Sequence, residues 1–294
     1  MKKVAIVTDT TACVPPEQVA RYGIEVVPVQ LVFEDRSYRD GIDISPTEFY
    51  SLLRRARKTP TTSSSSPEPY LAAYRRASRM ASSILCLTEP ARFSAMLDSA
   101  RVAAKMSGDI LHDVAIEVME CTTAAAGQGL VALAAARAAA LDRPLEEVKE
   151  VARNIMSRTH LFAALDTLEY LVRSGRVPQA AHLVNSLLSI KPIFTLNHGD
   201  ARTVALPRTM KSAANRMMKL MEGAVVKGVP LHVAVMHADA PEQAAALKDR
   251  VASRFDCREI FITEFTPVMG VHTGPGLIGV AFYGEEAPQS PPAV

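Results

Sequence analysis

Short apolar segments alternate with longer amphipathic ones along this chain, and that alternation limits the possible folds more than any other feature. In the first half, strands are predicted at residues 4–7, 25–33, 84–88 and 115–119, and helices at residues 15–22, 70–80, 93–106 and 124–141. A further helix begins at Pro46, because serine followed by proline, here Ser45 and Pro46, is typical of a helix N-terminus. Strands that alternate with helices favour a mainly parallel sheet covered on both faces.

The pattern of elements changes near residue 155. Beyond it, helices are predicted at residues 161–173, 180–189, 209–222 and 241–254, and strands at residues 191–196, 204–206, 231–236, 259–266 and 277–283. We therefore predict an α/β fold of two domains. The N-terminal domain, residues 1–155, has a mainly parallel sheet flanked by helices, and the C-terminal α/β domain, residues 156–284, has a mixed sheet. The proline-rich residues 285–294 are predicted to be a disordered tail.

The charge balance and the lengths of the apolar runs exclude several kinds of protein. The chain has 33 lysines and arginines against 31 acidic residues, a balance that argues against nucleic-acid binding. The first apolar run, residues 4–7, is soon followed by Asp9, whereas a signal peptide needs about 7–15 apolar residues. No charge-free stretch approaches the roughly 18 apolar residues of a membrane span. We therefore predict a cytoplasmic protein without stable membrane insertion.

The spacing of the cysteines and histidines argues against a metal site, a redox pair or a cofactor. The cysteines lie far apart with no C-x-x-C pair, and the histidines show no H-E-x-x-H pattern. Unpaired cysteines fit a reducing cytoplasm. The chain also lacks the G-x-S-x-G nucleophile elbow and the G-x-x-x-x-G-K-S/T loop, which disfavours hydrolase and nucleotide-kinase activities.

The segment from Gly274 to Gly279 matches the G-x-G-x-x-G pattern of dinucleotide-binding proteins. That fold needs a helix and a second strand after the glycines, but the segment that follows here has the pattern of a strand. We interpret it instead as a glycine-rich turn that brings the backbone close to a neighbouring group. His272 and Thr273 lie at the edge of this turn.

Two polar segments in the first half allow two interpretations each. Residues 61–66, T-T-S-S-S-S, are either a flexible linker or a loop whose hydroxyl groups bind an anion or a carboxylate. Asp9, Thr10 and Thr11 directly follow the first strand, where ligands of open α/β sheets gather. Aspartate and threonine are also good capping residues, and capping alone would explain them.

A series of motifs, in order, carries a resemblance to a known family. They are I-V-T-D-T-T at residues 6–11, V-V-P at 26–28, Y-R-D-G-I-D-I at 38–44, T-S-S-S-S at 62–66, L-E-Y-L through G-R-V at 168–177, L-S-I-K-P-I at 188–193, and T-P-V with V-H-T-G-P-G at 266–276. Over about residues 3–283 the chain resembles the DegV family of bacterial fatty-acid-binding proteins.

The chain departs from the family pattern at three places. Ser64 and Ser65 stand where the family has Gln-Pro, and the pair Glu120-Cys121 replaces Asp-Ser. The family's S-G-T segment keeps its serine, Ser94, but loses the glycine and the threonine. The hydroxyl-bearing residues of the family pattern are thus retained, and the departures concern the shape of the pocket and its preference among acyl chains.

The resemblance implies a protein that buries one long-chain fatty acid, such as palmitate, stearate or oleate, between sheet and helices. It places the carboxylate on Thr62 and Ser94, with His272 in the same hydrogen-bonded cluster. The fatty-acid-binding residues that it implies are Thr62, Ser63, Ser94, His272 and Thr273.

The resemblance also implies a carrier without catalytic activity of its own. Such a protein presents the fatty acid to a separate fatty-acid kinase, with Arg176 and Arg208 as candidate docking or phosphate contacts, and relatives of this kind suggest a monomer. Two alternatives remain open. One is a lipid ester hydrolase with His272 as base and Ser63 or Ser94 as nucleophile, and the other is a regulator that senses acyl chains.

Overall fold

The structure, a computed structural model, describes residues 2–34, 36–56, 58–63, 66–178, 180–184, 190–197 and 199–285. The strands are β1 Lys2–Asp9, β2 Glu25–Val27, β3 Gln30–Phe33, β4 Arg36–Arg39, β5 Thr61–Ser63, β6 Ala81–Thr88, β7 Ala115–Glu120, β8 His160–Ala164, β9 Ile193–Asn197, β10 Asp200–Ala205, β11 Leu231–His237, β12 Cys257–Glu264 and β13 Ile278–Gly284. The helices are α1 Pro16–Tyr22, α2 Pro46–Leu53, α3 Pro67–Ser78, α4 Met96–Ser107, α5 Ala126–Ala140, α6 Leu145–Arg158, α7 Glu169–Ser174, α8 Ala180–Val184, α9 Met210–Ala224, α10 Pro241–Arg254 and α11 Pro267–Thr273.

The N-terminal half is built on a parallel sheet of four strands in the order β2-β1-β6-β7. Ile6 of β1 pairs with Leu85 of β6, and Thr88 of β6 pairs with Glu120 of β7. Helices α3 and α4 pack against each other over this sheet, and α5 and α6 pack against each other as a second pair. The predicted parallel sheet flanked by helices is confirmed.

The C-terminal half is built on a mixed sheet of six strands in the order β10-β9-β8-β13-β11-β12. Strands β11 and β12 are parallel, whereas β13 runs antiparallel to both β11 and β8. A third, antiparallel sheet in the order β4-β3-β5 lies within the N-terminal half. The predicted α/β fold class with a mixed C-terminal sheet is confirmed.

Two predicted elements are wrong. The segment predicted as a helix at residues 161–173 begins with strand β8, buried between β13 and β9, and only its end forms α7. A short apolar run that is buried on both faces has the same pattern in a strand and in a helix, so periodicity alone cannot separate them. The strand predicted at residues 25–33 is two strands in different sheets, because Pro28 lies between them and has no N–H to continue the ladder.

Other predictions are confirmed in detail or lie beyond the described residues. Ser45 caps α2 in a capping box, with its hydroxyl accepting from the Glu48 amide. Helix α6 and helix α11 are present although neither was predicted. The predicted helix at 180–189 begins as α8, and its residues 185–189 lie outside the described residues, as do Ser64, Ser65 and residues 286–294 of the predicted tail.

Helix α5 lies between the two main sheets, in contact with β1 on one side and with β11 and β13 on the other. Its sequence is dominated by alanine, and nearly all of its residues are buried. Gly129 allows a close approach to the turn after β1, since a Cβ atom there would lie 2.5 Å from the Ala12 carbonyl oxygen. Small side chains on this helix therefore hold the two halves of the molecule together at short distance.

The glycine-rich segment after α11 forms a turn that leads into β13, so the interpretation as a turn is confirmed. Gly274 has φ 68° and ψ 177°, a conformation that is essentially restricted to glycine. A Cβ atom at Gly274 would lie 2.2 Å from Cδ2 of Tyr170 on α7. The turn thus brings the end of α11, which carries His272, directly against α7.

We expect Gly274→Ala to destabilise the protein by at least about 2 kcal/mol, since it adds backbone strain and a clash with the Tyr170 ring. The matched control is Gly223→Ala in α9, where a Cβ atom has nothing within 4 Å and alanine favours the helix. Thermal and urea unfolding of both variants measure the difference. Equal stability of the two variants would contradict this account of the turn.

Candidate functional site

A cavity with a volume of about 310 Å³ lies between the two halves of the molecule. Strand β8 contributes Leu161 and Ala163, two residues apart and therefore on the same side of the strand. Most of the lining is apolar and comes from both halves; its members include Val29, Met96, Ala125, Leu165, Phe194 and Met236. Aliphatic and methionine side chains of this kind suit a long, flexible apolar ligand.

A small group of polar side chains interrupts this apolar lining. Thr62, Glu89, Ser94, Arg176 and His272 all line the cavity, although they come from five separate segments of the chain. Thr62, Arg176 and His272 also line a smaller outer cleft of about 150 Å³. The polar group therefore lies where the cavity meets a second, outer depression.

Thr62 and His272 are in direct contact, with 3.2 Å between Thr62 Oγ1 and His272 Nε2. Strand β5 positions Thr62 by pairing it with Leu31 of β3, and α11 positions His272 in its last turn. Burial, together with the positive charge of Arg176, lowers the pKa of His272 to about 4. The imidazole is therefore neutral at pH 7, and its buried Nδ1 atom has no hydrogen-bond partner among the described residues.

Ser94 lies in the loop between β6 and α4, and its hydroxyl accepts a hydrogen bond from the Met96 amide at 3.3 Å. The carboxyl group of Glu89, which directly follows β6, lies close enough for the Ser94 side chain to lower its pKa. Glu89 is only 7% exposed, and burial, with the negative charge of Asp9, raises its pKa to about 8. Glu89 is not among the residues predicted from the sequence, because a charge that ends an apolar run shows neither its burial nor its neighbours.

The other predicted site residues differ in their relation to the cavity. Ser63 and Thr273 line it, but the Thr273 hydroxyl donates to the Met269 carbonyl at 3.0 Å within α11. Arg176 lies after α7 and lines both the cavity and the outer cleft. Arg208 is exposed between β10 and α9 and does not line the cavity. The structure thus brings Arg176, and not Arg208, to the polar group.

Both interpretations of the Asp9 segment find support. Asp9 is fully buried and caps the short 3₁₀ turn that follows β1, since its Oδ1 atom accepts from the Thr11 amide at 3.0 Å. Its Oδ2 atom lies 3.4 Å from both Gln128 Nε2 and the Tyr70 hydroxyl. Burial raises the pKa of Asp9 to about 6 despite these hydrogen bonds. Thr11, next to this carboxyl, lines the cavity.

The segment of hydroxyl-bearing residues is not a linker where the structure describes it. Thr61–Ser63 forms β5, which is hydrogen-bonded to β3. No group of histidine, cysteine or acidic side chains arranged to hold a metal ion is found among the described residues. The four cysteines are free, and in the described parts of the chain no helix is long and apolar enough to cross a membrane.

A family model described as an uncharacterised protein of the DegV family matches residues 3–285. The chain belongs to the DegV family. A DegV domain-containing protein from Streptomyces coelicolor is 35% identical over 281 residues, covering 95% of this chain and 98% of that protein. The resemblance deduced from the ordered motifs is therefore confirmed.

Solved DegV structures share both the fold and the extent of this chain. A DegV family protein from Thermus thermophilus, described as binding fatty acid, is 28% identical with a TM-score of 0.88, and the match covers 97% of this chain and 100% of that one. DegV from Bacillus subtilis, described as a fatty acid binding protein, is 26% identical with a TM-score of 0.86 at the same coverage.

The buried carboxyl group of Glu89 makes the stability of this DegV protein depend on pH. Its pKa is raised from 4.5 to about 8, so its contribution to stability is complete below about pH 4.5 and is lost as the pH rises through 8. The buried carboxyls of Asp9 and Asp40 titrate lower, near pH 6. Between about pH 6.5 and 8.5, Glu89 is therefore the buried carboxyl that governs the change.

We expect the melting temperature of the ligand-free protein to fall between about pH 6.5 and 8.5, and to fall less in Glu89→Gln, which cannot ionise. Differential scanning calorimetry across this range measures the effect. The exposed Glu242→Gln on α10 removes the same charge elsewhere and serves as control. A wild-type curve parallel to that of Glu89→Gln would show that Glu89 is not the group responsible.

Proposed function

We propose that this protein binds one long-chain fatty acid in the cavity and carries it in lipid metabolism. The observation that carries the proposal is the hydrogen-bonded Thr62–His272 pair in the polar group of a largely apolar cavity. The pair joins the two halves of the molecule, because Thr62 lies on β5 and His272 on α11. Fatty-acid binding by DegV proteins of the same fold and extent supports the same ligand class here.

The acyl chain would supply most of the binding free energy. A sixteen-carbon acid has about fourteen methylenes, each worth ~0.8 kcal/mol on burial, or ~11 kcal/mol before costs are subtracted. Loss of translational freedom and ordering of the chain offset at least several kcal/mol of this. The cavity of about 310 Å³ falls within the size range of small-molecule sites, which is roughly 300–1,000 Å³.

The carboxylate needs hydrogen-bond donors, since an unpaired buried charge costs several kcal/mol. We assign it to the hydroxyls of Thr62 and Ser94 and to the neutral imidazole of His272. Ser63 is a further contact on the same strand as Thr62, whereas the Thr273 hydroxyl is already engaged with a backbone carbonyl. Arg176 adds a positive charge at the junction with the outer cleft.

His272 is better suited to binding than to catalysis. An esterase would need a histidine that deprotonates a serine and is itself oriented by an acid. Here the ring contacts Thr62, and its Nδ1 atom has no partner in the parts of the chain that the structure describes. Its lowered pKa of about 4 also makes it a weak base. We therefore assign no catalytic residue.

We expect Thr62→Ala and Ser94→Ala each to weaken fatty-acid binding by about tenfold or more, because a hydrogen bond to a charged group contributes about 1.5–3 kcal/mol. Binding to delipidated protein is measured by calorimetry with palmitate, and native mass spectrometry of freshly purified protein identifies the resident lipid. Ser253→Ala, an exposed serine on α10, is the control. Unchanged affinity in both site variants, with folding intact, would contradict the head-group assignment.

The outer cleft suggests where a second protein could reach the carboxylate of the bound fatty acid. Thr62, Arg176 and His272 border both the cavity and this cleft, so a second protein docked there would lie next to the carboxylate. We assign that partner as a fatty-acid kinase. The fatty-acid carboxylate would attack the γ-phosphorus of ATP, forming the acyl phosphate and releasing ADP. Hydroxyl and imidazole donors neutralise the carboxylate less than an arginine pair would, which preserves its nucleophilicity.

We expect a purified bacterial fatty-acid kinase to form acyl phosphate from ATP only when the loaded protein is present. Trapping the product with hydroxylamine as the hydroxamate measures it. Arg176→Ala should lower the rate while leaving fatty acid bound, as checked by native mass spectrometry. Equal rates with and without the loaded protein would refute presentation to a kinase but leave fatty-acid binding standing.

A further inference from the structure

We propose that Glu89 is a specificity-determining residue of the cavity, which holds the ligand's carboxylate through a proton shared between two carboxyl groups. The inference rests on the fatty-acid binding proposed above and adds a requirement to it: the head group must accept a hydrogen bond from a carboxylic acid. Glu89 thereby selects a fatty acid over a lipid of equal length with a neutral head group.

The position of Glu89 carries the argument. Glu89 is 7% exposed and lines the same cavity as Ser94, which we assign to the ligand's head group and which is close enough to lower the Glu89 pKa. A carboxylate bound at the Ser94 hydroxyl would therefore lie next to the Glu89 carboxyl group. Two carboxylates that share a buried site cannot both ionise without a large repulsion, so one of them keeps a proton.

The charged and titratable groups around Glu89 determine whether its carboxyl group is protonated. Asp9 faces it from the end of β1 and raises its pKa, whereas Arg176 faces it from the loop after α7 and lowers it. The Tyr70 hydroxyl on α3 has a pKa well above its usual value and stays neutral. His272 on α11, next to Arg176, has lost its proton above about pH 4.

Glu89 is the group of this set that titrates near pH 8. Burial is the main cause of the raised pKa of Glu89, and the charge of an incoming carboxylate would raise this pKa further. At pH 7 the ligand-free protein thus already holds the proton that the pair needs, on Glu89. As the pH rises beyond about 8, binding must first return a proton to Glu89, which lowers the affinity by up to about tenfold for each pH unit.

The test compares laurate with dodecanol, which has the same chain but no charge, on delipidated protein between about pH 6.5 and 9.5. We expect laurate affinity to be flat below about pH 8 and to fall up to tenfold per unit above it, while dodecanol affinity stays flat. In Glu89→Gln, the amide still donates a hydrogen bond, so laurate affinity should remain flat throughout. Glu242→Gln should follow the wild-type profile.

A second measurement needs only the wild-type protein. Calorimetry at pH 8.5 in phosphate and in Tris, which differ in ionisation enthalpy, should show proton uptake on binding laurate and none on binding dodecanol. A pH-independent laurate affinity, absence of proton uptake, or an unchanged falling profile in Glu89→Gln would each overturn the role of Glu89 while fatty-acid binding stands. Failure of the wild type to bind laurate at any pH would overturn the proposed function itself.

Discussion

Burial of α5 between two sheets is the packing constraint on which the rest of the molecule depends. A helix can touch the parallel sheet through β1 and the mixed sheet through β11 and β13 only if its side chains are small, and this one is mostly alanine and glycine. Two further small side chains, Ala124 and Ala125, lie directly before α5 and line the cavity. The feature that draws the two halves together therefore also leaves room for a ligand between them.

The position of the polar group follows from the direction of the parallel strands. Asp9 ends β1 and Glu89 directly follows β6, so both carboxyls lie at the carboxyl edge of one sheet, where ligands of open α/β sheets bind. Gln128 of α5 reaches Asp9, which links the buried helix to this edge. Hydrogen bonds hold Asp9 in place, and its negative charge helps to keep Glu89 protonated at neutral pH.

The elements that the sequence predicts well are those whose signals are local. Ser45 and Pro46 define the start of α2, and the short strands of the parallel sheet are evident from their apolar runs. Strand β8 could not be separated from a helix, because residues 161–164 are all buried and show no alternation of apolar and polar side chains.

The site depends on contacts that local patterns do not contain. Thr62 and His272, 210 residues apart, were brought together in the prediction only through the resemblance to the DegV family. The same resemblance gave no way to distinguish Arg176, which reaches the cavity, from Arg208, which is exposed away from it. Glu89 was missed because its importance comes from burial and from Ser94 beside it, and neither is visible in an apolar run that ends in a charge.

In the proposed function, the protein must hold its ligand firmly and still leave one end of it accessible to chemistry, and the two parts of the cavity would divide these tasks. The apolar walls would act on the acyl chain through burial, which contributes ~11 kcal/mol before costs for a sixteen-carbon acid and does not depend on pH. In the proposed assignment, the head group contacts hydroxyls, a neutral imidazole and a carboxyl group, none of which carries a fixed positive charge at pH 7. Because burial of the acyl chain retains the ligand, the hydrogen bonds to the carboxylate can be weak enough for its oxygen to react. Arg176, shared by the cavity and the outer cleft, supplies positive charge at the place where negative charge would develop during transfer.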